Sequence, residues 1–146
     1  MTATNHTLTG VLVGLTVSSS VVAVPLAFLL HFVLDSLPHY GNPDHTSDKF
    51  KKILLTDALL AASILSFITI ARPENWLLAA ICGIACASPD LMWLPHWLRE
   101  LKNKPKKPYN LIEKFHSRIQ KYEKPQNYPY EVVWFVACLT LLAKAT

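Results

Sequence analysis

The residues of this sequence that are best suited to chemistry are histidines and aspartates within or beside long apolar stretches. His31 and Asp35 are four residues apart, so they share one face of a helix, and His39 follows after four more residues. Imidazole and carboxylate groups at this spacing can bind one divalent cation. Because Pro38 is expected to end the helix, the three groups lie at the end of an apolar run. The cluster predicts a metal site.

Two further acids stand alone in apolar sequence. Asp57 and Asp90 occur in stretches with almost no Lys or Arg to neutralise them. A charged side chain inside a membrane helix costs about 2.5–3.5 kcal/mol on insertion scales, so each buried acid needs a partner. A metal cation that also binds the histidines would supply that counter-charge.

The elements that must position these residues are apolar helices. Hydrophobic residues make up 51% of the chain and charged residues 16%, against about 25% charged in typical soluble domains. The helix bodies are apolar all round and lack the polar stripe of a soluble surface helix. We therefore predict one all-α domain over 1–146, a membrane bundle of two helical hairpins plus a C-terminal helix. The predicted helices cover about 8–21, 25–37, 53–71, 76–98 with breaks at Pro89 and Pro95, and 130–143.

Hairpin geometry brings the candidate ligands to one level. If residues 8–37 turn near residue 21, His6 and Asp35 lie at similar distances from the turn, given a rise of about 1.5 Å per residue. The same arithmetic around a turn at 72–74 places Asp57 level with Asp90. One long kinked helix over 8–37 remains the alternative for the first hairpin.

The stretch from 99 to 124 is a basic linker followed by an amphipathic segment over about 109–122. It holds nine basic and three acidic residues, a balance of +6. By the positive-inside rule this end of the bundle faces the cytoplasm, and the linker would attract anionic lipid or a phosphorylated substrate. Without a known reader motif, no nucleic-acid partner is expected. His116, in the amphipathic segment, could close over the site, whereas His45 and His96 are expected to lie outside it.

The set of candidate ligands is too large for one tetrahedral ion, which takes three protein ligands when it is catalytic. Two ions suit phosphoester hydrolysis, in which one activates water and the other stabilises the leaving oxygen. Zinc is favoured, with manganese or iron as alternatives. The catalytic groups would be Asp35, Asp57 and His116, with Asp35 or Asp57 bridging. The predicted ligands are His6, His31, Asp35, His39, Asp57, Asp90 and His116.

These motifs in order resemble a family of small bacterial inner-membrane proteins described as metal-dependent hydrolases. The resemblance rests on Thr4-Asn5-His6, the run from His31 to His39, Asp57, Ser88-Pro89-Asp90 and Phe115-His116. It covers most of the chain and implies a membrane location and a metal more than a substrate. Members of that family often carry Thr directly before the first His, whereas here Asn5 intervenes. A more distant likeness, to all-helical zinc phospholipase C and nuclease enzymes, rests only on His and Asp ligands at helix ends.

The resulting hypothesis is a membrane-embedded, metal-dependent hydrolase that acts on a phosphoester or lipid-like substrate. Two other classes of protein fit the same residues. One is a non-enzymatic membrane protein with a structural metal, which closed coordination would favour. The other is an ion-pathway or transport protein, which acids spread over different depths would favour.

Overall fold

The computed structural model describes all 146 residues and confirms the all-α class. Seven α-helices follow one another along the chain, and they are α1 (Ala3–Thr16), α2 (Ser20–Asp35), α3 (Asp48–Ala71), α4 (Trp76–Ala87), α5 (Leu94–Leu101), α6 (Leu111–Ile119) and α7 (Tyr128–Ala145). Short 3-10 segments cover Ser88–Trp93, Gln120–Tyr122 and Pro125–Asn127.

Helix α1 lies at the centre of the bundle and packs against α2, α3, α4 and α7. Two glycines on its α4 side allow an unusually close approach. A Cβ atom at Gly10 would lie 2.2 Å from the carbonyl oxygen of Cys82, and one at Gly14 would lie 2.4 Å from the Cα atom of Ala79. Because these neighbours are backbone atoms, larger residues would push the two helices apart.

The first hairpin turns earlier than predicted. Helix α1 ends at Thr16 and α2 begins at Ser20, with extended backbone at Val17 between them. The predicted start of the second helix at Pro25 is wrong, because the helix runs through this proline. The two helices are separate, so the single kinked helix does not describe the structure.

The second hairpin keeps its predicted turn but changes on both sides of it. Helix α3 begins at Asp48, five residues before the predicted start, because the Ser47 hydroxyl caps it by accepting a hydrogen bond from the Phe50 amide at 3.2 Å. Arg72 and Asn75 take left-handed backbone angles in the turn. On the far side, Pro89 and Pro95 lie in the first turn of a 3-10 segment and of α5 respectively.

Two helical stretches are long and apolar enough to cross a membrane by length and composition, namely α3 and the continuous stretch Trp76–Leu101. Helix α3 contributes one fully buried residue, Ile68, to the protein interior. Apolar side chains cover its outer surface, and Leu55, Leu59 and Ile70 are among the exposed ones. The helix therefore has an apolar surface on the side that faces away from the bundle.

The C-terminal part folds back over the ends of α2 and α4. Helix α6 begins with a capping box, in which Asn110 and Glu113 each accept a hydrogen bond from the other's backbone amide. Its apolar residues Leu111, Ile112 and Phe115 are exposed, whereas His116 is fully buried. The chain then continues into α7, which packs along α1.

Candidate metal site

Four side chains form a compact cluster where α2, α6 and the 3-10 segment after α4 meet. Each of His31, Asp35, Asp90 and His116 offers one ligand atom, and these four atoms lie within 4.8 Å of one another. His31, Asp35 and His116 are fully buried, whereas the Asp90 side chain is 31% exposed. The cluster could hold a metal ion, and its open side is the Asp90 side.

The spacing of the four ligand atoms fits one small cation. The Nε2 atoms of His31 and His116 lie 3.1 Å apart, and they lie 3.2 and 2.8 Å from Asp35 Oδ2. Asp90 Oδ1 lies 3.6 and 3.8 Å from the same two nitrogens. In a tetrahedral zinc site with bonds of about 2.0–2.1 Å, neighbouring ligand atoms are about 3.3 Å apart. The three separations among His31, His116 and Asp35 are slightly shorter than that value, and the two from Asp90 are slightly longer.

The hydrogen bonds of the two Nδ1 atoms leave both Nε2 atoms facing the cluster. His31 Nδ1 lies 2.8 Å from the carbonyl oxygen of Cys86, which can only accept, so Nδ1 carries the proton and donates. His116 Nδ1 donates to the Met92 sulfur at 3.4 Å. With Nδ1 as the donor, the Nε2 atom of each ring is the one that faces the carboxylates, and its lone pair is the group that would bind a cation.

Local sequence explains how each ligand reaches the cluster. His31 and Asp35 occupy the last turn of α2, four residues apart on one face. Asp90 comes from the 3-10 segment, where the break after α4 turns its side chain toward α2. His116 lies on the buried face of α6, and its ring packs edge-to-face against Phe32.

His6 joins this cluster from the first turn of α1. Its Nε2 lies 3.0 Å from Asp35 Oδ1 and 4.0 Å from Asp90 Oδ2. The ring is fully buried and stacks on His31 with 4.0 Å between the ring centroids. Five of the seven predicted ligands are thus brought together: His6, His31, Asp35, Asp90 and His116.

Asp57 lies at the same end of the bundle but serves a different purpose. Its carboxylate accepts hydrogen bonds from the amides of Ala3 and Thr4 at 2.7 and 2.9 Å, and from the Thr4 hydroxyl at 2.5 Å. These groups form the N-terminus of α1, whose free N–H groups and dipole favour an anion. The structure gives Asp57 a capping role and does not bring it into the four-residue cluster, although the sequence predicts it as a ligand and catalytic group.

His39 is also placed outside the four-residue cluster. Its Nδ1 donates to the carbonyl oxygen of Leu37 at 2.8 Å, and its own carbonyl accepts from the Lys124 amide at 3.0 Å. The residue is almost fully buried. These contacts tie the loop after α2 to the segment after α6, so the structure supports an anchoring role rather than the predicted ligation.

A buried carboxylate that the sequence analysis missed is Glu131 of α7. It accepts from the Asn5 side-chain amide at 2.6 Å, from the Thr2 hydroxyl at 2.9 Å and from the Tyr40 amide at 3.2 Å. The rule that selected Asp57 and Asp90, an acid alone in an apolar helix, applies equally to this residue. Asp57 and Glu131 together satisfy the first N–H groups of α1, which explains why that helix begins at Ala3, earlier than predicted.

Two further groups touch the Asp35 carboxylate. The Gln120 side-chain amide donates to Oδ2 at 3.1 Å, and the Met1 amino group contacts Oδ1. Asp35 is therefore the hub of the site, with contacts to α1, α2, α6 and the segment that follows α6. Nothing in the sequence distinguishes Gln120 from any other polar residue of the linker.

His45 and His96 lie away from the cluster, as expected. The carbonyl oxygen of His45 accepts from the Trp97 indole at 2.8 Å. His96 pairs with Glu113, with 2.9 Å between Nε2 and Oε1. This hydrogen bond, with that from the Asn110 amide, lowers the pKa of the Glu113 carboxyl below its usual value.

Comparison of the chain with protein-family models, curated proteins and solved structures finds no match.

Proposed function

We propose that the chain is a membrane-embedded, metal-dependent hydrolase that acts on a phosphoester of a lipid or another membrane-proximal substrate. The observation that carries the proposal is the cluster of two imidazole nitrogens and two carboxylate oxygens within 4.8 Å. A divalent cation, with zinc favoured over manganese or iron, fits mixed nitrogen and oxygen ligands at these separations.

Membrane insertion is supported by where the apolar surface lies. A soluble protein buries the apolar face of its helices, whereas α3 fully buries only Ile68 and leaves most of its other apolar side chains exposed. Leu55, Ile70 and Leu77 are more than half exposed on the two longest apolar stretches. In a bilayer these surfaces would contact acyl chains rather than water.

A phosphoester substrate is supported by charge and access. The side chain of Asp90 leaves one edge of the cluster open, while the other three ligands are sealed in the interior. The basic linker follows this part of the chain and carries a balance of +6 from 99 to 124. A bound cation with an open edge beside basic residues would attract and orient a phosphate group.

The proposed orientation places the cluster and the basic linker on the cytoplasmic side. All three native cysteines are buried, so a single added cysteine can be labelled selectively in intact cells. Lys106→Cys should be protected from a membrane-impermeant maleimide, and Glu74→Cys, in the turn at the opposite end of the hairpin, should react. The opposite pattern would invert the topology.

The proposed activity is tested with purified protein in mild detergent. Wild-type protein should contain at least one divalent ion per chain by elemental analysis and should hydrolyse a chromogenic phosphodiester. Asp35→Asn should lose the ion and the activity, with affinity weakened more than the about 10–100-fold typical for a lost supporting group. Wild-type protein that holds no ion after growth with zinc, manganese and iron would refute the proposal.

One observation favours a second candidate, a structural metal in a non-enzymatic membrane protein. His31, His116, Asp35 and Asp90 supply four ligands, which would complete a tetrahedral shell and leave no position for water. Under this alternative, metal would be bound tightly and its removal would lower the melting temperature. No phosphodiester would be cleaved, whichever metal was loaded.

A further inference from the structure

The oxygens of Asp35 and Asp90 that face away from the four-ligand cluster meet a third imidazole. We define the first position by His31 Nε2, His116 Nε2, Asp35 Oδ2 and Asp90 Oδ1. The other oxygens, Asp35 Oδ1 and Asp90 Oδ2, lie 3.0 and 4.0 Å from the Nε2 of His6. Each aspartate thus presents one oxygen to each of two neighbouring places.

We infer that His6, Asp35 Oδ1 and Asp90 Oδ2 form a second divalent-cation position, with both aspartates bridging it to the first. This inference rests on the metal site proposed above and adds a second ion to it. A carboxylate that shares its two oxygens between two ions holds them about 3.5–4 Å apart. The two imidazole rings that would serve the two positions are stacked at a matching distance.

The stacking of His6 on His31 is the geometric argument for two ions rather than one. The ring centroids lie 4.0 Å apart and the planes are inclined by only 24°. A histidine binds a metal along the lone pair in its ring plane, so two nearly parallel rings direct their lone pairs at separate points.

The burial of His6 and the charges around it also support a second cation position. His6 is fully buried, and its Nε2 faces one oxygen from each of Asp35 and Asp90. The Met1 amino group contacts the same oxygen of Asp35, so this place already attracts a positive charge. A cation bound there would take over that contact.

The second position has fewer protein ligands than the first, and this difference determines which ion could bind water. With His6 and two carboxylate oxygens it has three protein ligands, which leaves room for water or substrate in the fourth place. The first position has four protein ligands and is open only at the Asp90 edge. The second position would therefore activate the attacking water, while the first would orient the two aspartates.

Metal stoichiometry tests the inference, with Zn²⁺ and Mn²⁺ as the probes. Wild-type protein loaded with zinc and freed of excess should contain two ions per chain, and His6→Gln should contain one. Asp35→Asn should lose both ions. Thr7→Val, an equally buried substitution beside His6, is the matched control and should keep both.

Electron paramagnetic resonance of the Mn²⁺-loaded wild-type protein gives a readout that does not depend on any variant folding. Two Mn²⁺ ions bridged by carboxylates should give a spin-coupled multiline signal, which His6→Gln should convert to the six-line signal of an isolated ion. One ion per wild-type chain with an uncoupled signal would overturn the second position, and cleavage of the phosphodiester by that one-ion protein would leave the proposed function standing. No bound ion in wild-type protein would overturn both.

Discussion

Replacement of Asp57 separates the two roles that sequence and structure assign to this residue. If it were a ligand, Asp57→Asn would release metal. The structure instead shows its carboxylate accepting two backbone amides and one hydroxyl at the start of α1. We expect Asp57→Asn and Asp57→Ala to keep the metal content of the wild-type protein and to lower its stability.

The magnitude follows from the three hydrogen bonds. Each hydrogen bond to a charged group contributes about 1.5–3 kcal/mol, which sets a ceiling for the loss. Asp57 is only partly buried, so water can replace some of these bonds in the alanine variant. Loss of a helix N-cap costs about 0.5–2 kcal/mol and loss of the favourable dipole interaction about 0.3–1 kcal/mol. We expect about 2–3 kcal/mol for Asp57→Ala and roughly half of that for Asp57→Asn, which keeps one acceptor oxygen.

Chemical denaturation in detergent micelles, followed by circular dichroism, measures the change in unfolding free energy, and elemental analysis of the same samples measures metal content. Asp35→Asn serves as the contrasting variant, because it should lose metal. Loss of metal from Asp57→Asn at unchanged stability would refute the capping assignment and restore this residue as a ligand.

Three other perturbations probe the packing and the polar contacts. Gly14→Ala should destabilise the protein by about 1–3 kcal/mol in denaturation, because its Cβ would meet the backbone of α4 at 2.4 Å. Glu131→Leu should cost about 1–3 kcal/mol, because the Asn5 side-chain amide loses the carboxylate and keeps only the backbone carbonyl of residue 131, and adding Asn5→Leu should recover part of that loss. The lowered pKa of Glu113 stabilises the fold above its unfolded pKa of about 4.3, and this contribution disappears as the pH falls. The wild-type melting temperature should therefore fall more between about pH 5 and about pH 3 than that of Glu113→Gln, whereas equal falls would contradict this role for the His96 pair.

The parts of the site that could be predicted are those that helix periodicity fixes. A separation of four residues places His31 and Asp35 on one face whatever surrounds them. Counting residues from a hairpin turn gives the depth of a side chain, and this arithmetic brought His6 level with Asp35. The observed turn centres near residue 18, which changes the two counts to 12 and 17 residues, a difference of about 7.5 Å along ideal helix axes, so the count alone does not account for the contact.

The parts that could not be predicted depend on which side of a helix faces which neighbour. Its depth along the helix axis places Asp57 level with Asp35 and Asp90. The side of α3 on which it lies, however, faces the start of α1, and its carboxylate contacts that helix instead. Gln120 reaches Asp35 only because the chain folds back after α6. Such contacts are set by tertiary packing, for which a single sequence carries no periodic signal.

The spacing His6, Gly10, Gly14 runs down one side of α1 in steps of four residues. The two glycines sit so close to the backbone of α4 that α1 has no freedom to slip along its neighbour by a helical turn of about 5.4 Å. The continuation of that same neighbour bears Asp90. The close contact at the two glycines therefore fixes the position of α1 along α4. It thereby sets the level of the His6 imidazole relative to the Asp90 carboxylate, although the glycines touch neither group.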